Sequence, residues 1–257
     1  MLPVSERLRA HALPLLGLLL SVFVLNAPAL GGGFSDPDDF LHLEAGLGIA
    51  RGDAAAWTHN VFSPDGVTAM RPIPWLLWGL NALLLGLRPL GYYATNAGLH
   101  LLLTAAVYAL AFELGRSRPA ALVAGALVGL APASNQAIYY LAGRDDQVAN
   151  LACVGAFLTW RWGRGRALWR GAAAGLLLLG LLSKATVITL PLLLLVDDRL
   201  AGGRGRRRDL WPFAVALALF GGLLATAWGH TDPAALLTPD QRAGLGGIGA
   251  LLRNVAP

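Results

Sequence analysis

Charged residues are scarce in this sequence. Only 14% of its 257 residues are charged, whereas 56% are hydrophobic. A soluble domain of this length is about one quarter charged, because it needs such groups to cover a water-facing surface. The deficit argues against an ordinary soluble domain and predicts that lipid surrounds much of the chain.

Cysteine and nucleic-acid-binding patterns are also nearly absent. Cys153 is the single cysteine and lies within an apolar run, which excludes an intramolecular disulfide and favours a packing role. No aromatic-basic interleaving accompanies the net charge of +5, so the charge does not indicate nucleic-acid binding. A glycine-rich phosphate loop, zinc-ligand spacing and a serine-histidine nucleophile pattern are lacking too. The arginines instead form short clusters between apolar runs, which is typical of cytoplasmic loops in membrane proteins.

Apolar runs that could form membrane-spanning helices recur along the chain. Such a helix needs about 20 mostly apolar residues, and the first run extends from about Ala10 to Leu30. Its end, Ala27-Pro28-Ala29, also resembles a signal-peptide cleavage site, but both interpretations put the N-terminus inside and residue 31 outside. The further predicted spans cover about Tyr92–Leu114, Ala120–Tyr140, Val148–Trp160, residues 171–196 and Leu210–Trp228.

The distribution of arginine predicts the orientation of these spans. Cytoplasmic loops are enriched in arginine, and 13 of the 19 arginines fall in the N-terminus and in residues 115–118, 161–170 and 197–209. All four stretches are cytoplasmic only if residues 171–196 cross the membrane twice, as a short helical hairpin with its tip at residues 183–186. A single crossing would put residues 197–209 outside, so we favour the hairpin. The predicted fold is therefore an all-α, polytopic transmembrane bundle of about seven crossings.

Residues 31–92 are predicted to form a large first extracytoplasmic loop. The segment from Pro72 to Gly86 is apolar but too short to cross a bilayer, and it carries Trp75 and Trp78. Tryptophan prefers the headgroup level of a membrane. We therefore expect the loop to contain a helix that lies along the outer membrane surface.

Two acidic clusters fall on the predicted outer side. Asp36, Asp38 and Asp39 follow the first span, and Asp145 and Asp146 follow the third. Clustered carboxylates repel one another unless a proton or a cation offsets their charge. The clusters thus suggest a general base, a divalent-metal site with Asp36, Asp38 and Asp146 as candidate ligands, or both. For the first cluster, a solvated acidic loop is an equal alternative.

Three polar residues lie within or between the apolar runs. Lys184, at the predicted hairpin tip, is the single lysine in the chain. An ionisable side chain at membrane depth indicates function, and an anionic lipid phosphate is a natural partner for it. The alternative is a lysine that snorkels to the interface. Asn96 and His100 share one face of a predicted span, where we expect them to form interhelical hydrogen bonds.

Five short motifs follow one another between residues 34 and 196. In order, they are Asp38-Asp39-Phe40, Arg71-Pro72, Thr95-Asn96 with His100, Pro132 with Gly143-Arg144-Asp145-Asp146, and Leu182-Ser183-Lys184 with Pro191. As an ordered set, they resemble the glycosyltransferase C superfamily of membrane enzymes that use polyprenyl-phosphate sugars. The resemblance is closest to the protein O-mannosyltransferase-like branch and its relatives with tetratricopeptide tails.

This resemblance implies a function and a set of site residues. The expected activity is transfer of a sugar from a polyprenyl-phosphate donor to a protein, glycan or lipid acceptor at the extracytoplasmic face of the membrane. Separately, the bias toward alanine, glycine and arginine suggests a bacterial genome, so the expected membrane is a bacterial inner membrane. Asp38 or Asp39 would deprotonate the acceptor, and Asp146 would orient the site or help to hold a metal. A divalent cation is the one cofactor left open, and no nucleotide is expected. The residues implied to contact the lipid-linked phosphate are Lys184, Arg71, Arg144 and Asp145.

The sequence also departs from this family. Gln136 and Ala185 stand where relatives often have glutamate, and relatives continue beyond Pro257 with more spans and often a soluble tail. Residues 1–257 are therefore expected to be one membrane module that is incomplete at its C-terminus. Two other functions stay open: a transporter or flippase-like protein, since broken helices with a midplane charge also characterise transporters, and an assembly protein whose acidic loop binds a partner.

Overall fold

The computed structural model describes residues 4–62, 71–163, 166–200 and 210–229. Within these ranges the chain forms helices and no β-strand, which confirms the predicted all-α class. Short 3₁₀ turns cover Ala27–Gly31, Leu141–Gly143 and Ala185–Thr189, and a π-helical segment covers Trp57–Phe62. The α-helices are α1 (Val4–Asn26), α2 (Pro37–Ala50), α3 (Ala54–Ala56), α4 (Pro72–Leu85), α5 (Pro89–Gly115), α6 (Arg118–Leu130), α7 (Pro132–Tyr139), α8 (Arg144–Trp162), α9 (Ala167–Leu181), α10 (Leu190–Leu200) and α11 (Trp211–Gly229).

Helix α5 lies at the centre of the bundle, and α1 and α6 pack against it. His11 near the start of α1 lies beside the end of α5, where its Nδ1 is 2.9 Å from the Tyr108 hydroxyl. At the opposite end, the Tyr93 hydroxyl at the start of α5 donates to the carbonyl of Gly33, just past α1, at 3.0 Å. The two helices are therefore antiparallel. We call the end that holds the start of α1 the basal end, and the opposite end the apical end.

The chain passes from one end of the bundle to the other three times, once each along α8, α9 and α10. Near the end of α8, Arg161 forms an ion pair with Asp197 on α10 and lies 3.9 Å from Glu113 at the basal end of α5. Near the start of α8, Asp146 lies 2.6 Å from the ammonium of Lys184, which follows α9. The chain therefore returns along α9, turns at residues 183–186 as predicted, and runs back along α10. That these two arms cross a bilayer stays a prediction.

The two ends of the bundle hold the segments that the sequence assigns to opposite sides of a membrane. Arg116 and Arg118 lie in the basal connection between α5 and α6. Asp38, Asp146 and Lys184 all line one cavity at the apical end. Residues 201–209, also predicted to be cytoplasmic, lie outside the described part of the chain. This segregation agrees with the predicted orientation, while the compartment that faces each end stays a prediction.

Few of the described helices are long enough to cross a membrane alone. Residues His11–Gly31 and Pro89–Gly115 qualify by length and composition, and α6 with α7 would count as a third span bent by 54°. The apolar helices α4 and α9 are shorter, and so is the apolar stretch Trp211–Thr226 within α11. A 15-residue helix such as α9 is about 22 Å long, against a hydrocarbon core of about 30 Å. The predicted count of seven crossings is therefore not established by the helices and stays a prediction.

Local sequence signals explain where α2 begins. Asp36 stands before the helix, and its carboxylate accepts a hydrogen bond from the Asp38 amide at 2.9 Å. Asp39 at the third helical position accepts from the Asp36 amide at 3.3 Å, which completes a capping box. Pro37 occupies the first helical position, where its missing N–H has no intrahelical partner to lose. Because the cap fixes this turn, the side chain of Asp38 has a defined position over the bundle.

Helices α2 and α4 pack closely at the apical end. At Gly46 on α2, a Cβ atom would lie 3.0 Å from the backbone carbonyl of Trp78 on α4, so a larger residue would force the helices apart. Trp78 is 0% exposed and Trp75 is 6% exposed. Their rings pack against the side chains of His42 and Tyr92 and do not face lipid, while the location of α4 along the outer membrane surface stays a prediction. The exposed face of α4 carries Leu80, Leu83 and Leu84 instead.

Candidate functional site

A cavity of about 750 Å³ opens at the apical end of the bundle. Parts of α2, α4, α5, α6, α7 and α8 and the turn between α9 and α10 form its walls. It brings together charged residues that lie far apart in the sequence and that were predicted as one site. The polar residues that line it include Asp38, His42, Arg71, Tyr140, Asp145, Asp146, Gln147, Asn150 and Lys184.

Asp38 faces this cavity from the first turn of α2. Its Oδ2 accepts a hydrogen bond from the hydroxyl of Tyr140, which directly follows α7. This hydrogen bond, together with burial, holds the pKa of Tyr140 well above its usual value, so the phenol stays protonated and continues to donate. The bond fixes one carboxylate oxygen and thereby orients Asp38 in the cavity. No sequence pattern pointed to Tyr140, because Asp38 and Tyr140 meet only through tertiary packing.

His42 lies one helical turn after Asp38 and lines the same cavity. Its Nδ1 is 2.6 Å from the carbonyl oxygen of Asp38. A carbonyl oxygen can only accept, so Nδ1 carries the proton and donates it. The imidazole stacks on the Trp75 ring at a centroid distance of 4.6 Å. The i, i+4 spacing from Asp38 on a capped helix is the sequence signal that could have identified this residue.

Two cations and two carboxylates form a chain of ion pairs along another wall of the cavity. The Lys184 ammonium lies 2.6 Å from Asp146 Oδ2 and 3.9 Å from Asp145 Oδ2. Arg71 forms a direct ion pair with the same oxygen of Asp145. About a quarter of the side-chain surface of each cation is exposed (26% for Lys184 and 28% for Arg71). Asp146 is 50% exposed, so the cluster leaves parts of both cations and of one carboxylate open, while the carboxylates hold both cations in position.

Arg144 and Asp39, two further predicted site residues, do not face the cavity. Arg144 is 0% exposed, donates from Nε to the Asn96 side-chain oxygen at 2.8 Å, and lies over the Trp78 ring. Asp39 is 2% exposed, and its carboxylate caps the start of α2, where it also accepts from the Ser35 amide. Their geometry assigns Arg144 to apical packing and Asp39 to helix capping. Neither side chain is therefore placed to contact a ligand in the cavity.

Asn96 and His100 form the interhelical hydrogen bonds expected of them. The Asn96 amide donates to the carbonyl oxygens of Ala137 at 3.0 Å and Leu141 at 3.3 Å. His100 Nε2 lies 3.2 Å from the carbonyl oxygen of Gly129 on α6. Both side chains are buried. These bonds tie α5 to α6 and α7, next to the cavity wall.

The candidate metal ligands Asp36, Asp38 and Asp146 do not converge on one point. Asp36 accepts from a backbone amide, Asp38 accepts from Tyr140, and Asp146 pairs with Lys184. In the described ranges, no group of three or more His, Cys, Asp or Glu side chains is arranged to hold a metal ion. These aspartates therefore do not fit a common cation site, and metal dependence stays a prediction from the sequence.

The cavity becomes apolar as it extends into the bundle. Leu103 and Val107 on α5, Val128 on α6 and Val154 on α8 line this part. One continuous space thus joins a charged, oriented group of side chains to an apolar groove between helices. A ligand with a polar, anionic head and a hydrocarbon tail matches this combination.

Comparisons with known proteins support the family resemblance at a coarse level. Over 197 residues, 73% of the chain, the sequence is 31% identical to Protein O-mannosyl-transferase Tmtc1 of Drosophila melanogaster. The chain spans 23% of the length of that relative. No protein-family model matches the chain, and no solved structure matches it. The similarity supports a glycosyltransferase-like membrane protein. It comes from an animal protein, so it gives no support to the predicted bacterial source.

Proposed function

We propose that this chain transfers a sugar from a polyprenyl-phosphate donor to an acceptor hydroxyl at the extracytoplasmic face of a membrane. The observation that carries the proposal is that Asp38 and Lys184 line the same cavity, although they belong to different loops. An oriented carboxylate and a partly exposed cation are the groups that such a transfer needs. The similarity to an O-mannosyltransferase supports the same class of reaction.

In the proposed step, Asp38 acts as the base. The acceptor oxygen attacks the anomeric carbon of the donor sugar while its proton passes to the Asp38 carboxylate. The bond between the anomeric carbon and the phosphate oxygen breaks, and the polyprenyl phosphate leaves with the electron pair. Tyr140 keeps the carboxylate in place through its hydrogen bond.

The cations of the ion-pair cluster stabilise the leaving phosphate. Negative charge grows on the phosphate as the sugar departs, and preorganised N–H donors stabilise that charge. Lys184 has three N–H donors, of which Asp146 engages one at 2.6 Å, so others can face a phosphate. Arg71 offers further donors beside it. Asp145 and Asp146 then act by positioning the two cations before the donor binds.

The apolar part of the cavity supports a lipid-linked donor. Its walls are aliphatic side chains of three helices, which suit the first isoprene units next to the phosphate. The arginine-rich basal end supports an orientation in which this end is cytoplasmic and the cavity opens on the other side. In this orientation the chain is a multi-pass membrane protein with α9 and α10 as the two arms of the hairpin.

Replacement of the base tests the proposal directly. We expect Asp38→Asn in the full-length gene product to lower transfer of radiolabelled mannose from a prenyl-phosphate mannose by about 10²–10⁴-fold. Asp53→Asn is the matched control, because Asp53 lies in the same loop and caps the separate helix α3. Transfer by Asp38→Asn at the rate of the control would remove Asp38 from the mechanism.

A transporter or flippase-like role is the second candidate. The break between α9 and α10 places Lys184 between two short helices, an arrangement that also occurs in transporters. This role predicts that the protein moves a prenyl-phosphate sugar between the leaflets of a vesicle without releasing the sugar to an acceptor. Movement in the absence of any transfer would favour it over the transferase.

A further inference from the structure

His42 on α2 keeps one ring nitrogen open in the cavity wall. Its Nδ1 donates to the carbonyl oxygen of Asp38, one turn earlier on the same helix, at 2.6 Å. Nε2, at the far end of the ring, has no hydrogen-bond partner in the described part of the chain, and it is not one of the buried unpartnered atoms there. The side chain is half-buried and lines the cavity. Nε2 is therefore accessible to a ligand that occupies the cavity.

Two tryptophans hold the imidazole of His42 in one orientation. The Trp75 ring stacks on it with an angle of 16° between the planes, and the centroid of the Trp78 ring lies 5.3 Å from that of the imidazole. Packing and the bond from Nδ1 together give Nε2 one position at the cavity wall. A polar atom that is positioned before the ligand arrives loses less entropy on binding.

The tautomer of His42 determines what Nε2 can bind. A neutral imidazole carries one N–H, and here Nδ1 holds it, so Nε2 can only accept a hydrogen bond. The phosphate of a prenyl-phosphate sugar is a diester without a hydroxyl, so it offers no proton to Nε2. A hydroxyl does offer one. The partner of Nε2 is therefore a hydroxyl of the ligand, and not the phosphate that we assign to the ion-pair cluster.

The position of His42 narrows the choice among the ligand hydroxyls. Asp38 lines the same cavity one helical turn away, and residues with this spacing are neighbours with about 5–6 Å between their Cβ atoms. In the proposed transfer, the reacting hydroxyl gives its single proton to Asp38 and has none left for Nε2. The hydroxyl that contacts His42 is thus a second one beside the reacting bond, on the transferred sugar or on the acceptor.

We infer that His42 binds substrate through Nε2, which accepts a hydrogen bond from a hydroxyl next to the one that reacts. This inference rests on the proposed transferase function. It makes His42 a specificity-determining residue, because a substrate without that hydroxyl leaves Nε2 unpaired. A purely structural role would depend instead on Nδ1 and on the stacking with Trp75.

Two amide substitutions separate the roles of the two ring nitrogens. In His42→Gln the amide oxygen can take the place of Nε2, whereas the shorter amide of His42→Asn reaches only the position of Nδ1. The assay is transfer from a prenyl-phosphate mannose to a synthetic peptide rich in serine and threonine. We expect His42→Asn to lower kcat/KM by about tenfold, the effect of one lost hydrogen bond of about 1.4 kcal/mol, and His42→Gln to stay within about threefold of wild type. An equal loss in both variants, or a larger loss in His42→Gln, would overturn the inference.

Stability is measured beside the kinetics, as the unfolding midpoint in detergent, and rates are expressed per folded molecule. Glu44→Gln is the control, because Glu44 is exposed on the same helix and does not line the cavity. His42→Phe keeps an aromatic ring to stack on Trp75 and removes both nitrogens, so it should transfer as poorly as His42→Asn. If either variant transferred mannose at the rate of the control, Nε2 would have no role in binding.

Equilibrium binding identifies the source of the hydroxyl, with prenyl-phosphate mannose and bare prenyl phosphate as the two probes. If His42→Asn binds only the mannose lipid more weakly, the hydroxyl belongs to the sugar. If it binds both lipids as wild type does and its KM for the peptide rises, the hydroxyl belongs to the acceptor.

The same binding measurement separates this inference from the proposed function. If wild type binds the mannose lipid with a dependence on His42 but transfers no sugar, the proposed function fails and the inference stands. If wild type transfers no sugar and its binding does not depend on His42, both fail. If wild type transfers sugar and neither binding nor kcat/KM depends on His42, the inference alone fails.

Discussion

The two ends of helix α8 each hold a cluster of ion pairs, but only the apical cluster lines a described cavity. At the basal end, Arg161 pairs with Asp197 and lies beside Glu113, and these side chains are only 10–16% exposed. At the apical end, the side chain of Lys184 is 26% exposed and that of its partner Asp146 is 50% exposed. Both clusters pair basic side chains with carboxylates. What differs is access to a ligand.

This difference in exposure distinguishes ion pairs that stabilise the fold from ion pairs that can bind a ligand. A closed cluster holds helices together, and removal of one partner weakens the compensation of the other charges in a mostly desolvated setting. An open cluster can let water replace a lost partner, so its removal costs little stability. We therefore expect replacement of a charged residue at the apical end to have a large effect on transfer and a small effect on stability. At the basal end we expect the reverse.

Among the changes to the two ion-pair clusters, the largest expected effect follows from Lys184→Met at the apical end. We expect kcat/KM for transfer from a prenyl-phosphate mannose to fall by about 10²–10³-fold, since the leaving phosphate loses a cation. The unfolding midpoint should change little, because Asp146 is half exposed and water can hydrate it. Arg116→Met is the control, as Arg116 is exposed at the basal end. If Lys184→Met transferred mannose at the wild-type rate, the proposed functional difference between the two clusters would be contradicted.

The reverse pattern is expected for Arg161→Met at the basal end. Loss of this cation removes a charged hydrogen bond to Asp197 in a mostly buried setting, while Glu113 keeps its ion pair with Arg116, and we expect this to cost about 2 kcal/mol in free energy of unfolding. Denaturant unfolding in detergent measures this loss. Transfer per folded molecule should stay within about twofold of wild type. A selective loss of transfer at full stability would show that the basal cluster is functional.

A smaller effect is expected at the positioning residue Tyr140. Tyr140→Phe removes the hydrogen bond to Asp38 but keeps the ring, so we expect transfer to fall by about tenfold. Because the pKa of Tyr140 is raised, the phenol is protonated from neutral to mildly alkaline pH. The ratio of wild-type to variant rates should therefore be constant over that range. A ratio that falls as the pH rises would indicate that Tyr140 itself titrates.

The smallest effect is expected at the N-terminal cap of α2, the helix that carries Asp38. Asp36→Ala removes the cap of α2, which we expect to lower the free energy of unfolding by about 1 kcal/mol. Asp36→Ser keeps a capping oxygen and should therefore retain most of this free energy. Since Asp36 does not line the cavity, transfer should fall much less than in Asp38→Asn. An equal loss of transfer would extend the site to Asp36.

Part of the site was predictable because isolated charges in apolar runs are informative. A single lysine between two apolar arms indicates a buried or functional ammonium, and the structure places Lys184 beside Asp146. The return of the chain at residues 183–186 followed from the arginine distribution alone. Its presence in the fold shows that charge on loops can reveal a break within a long apolar run.

The direction of neighbouring side chains was not predictable in the same way. Arg144, Asp145 and Asp146 are consecutive on α8, and each residue of a helix turns by about 100° from the last. One motif therefore sends Arg144 into the core and the two aspartates toward the cavity. Similarly, Trp75 and Trp78 have surfaces that suit either a membrane interface or a protein core, and only tertiary packing decides between them.

The measurement that tests the central claim most directly is the accessibility of single cysteines to a membrane-impermeant thiol reagent. Cys153→Ser removes the single native cysteine, and Asp38→Cys, Lys184→Cys and Arg116→Cys are then made one at a time. The account predicts that the cysteines at positions 38 and 184 react from the same side of the membrane, and that the cysteine at position 116 reacts from the other. Labelling of positions 38 and 184 from opposite sides would contradict a shared cavity and remove the basis of the proposed transfer.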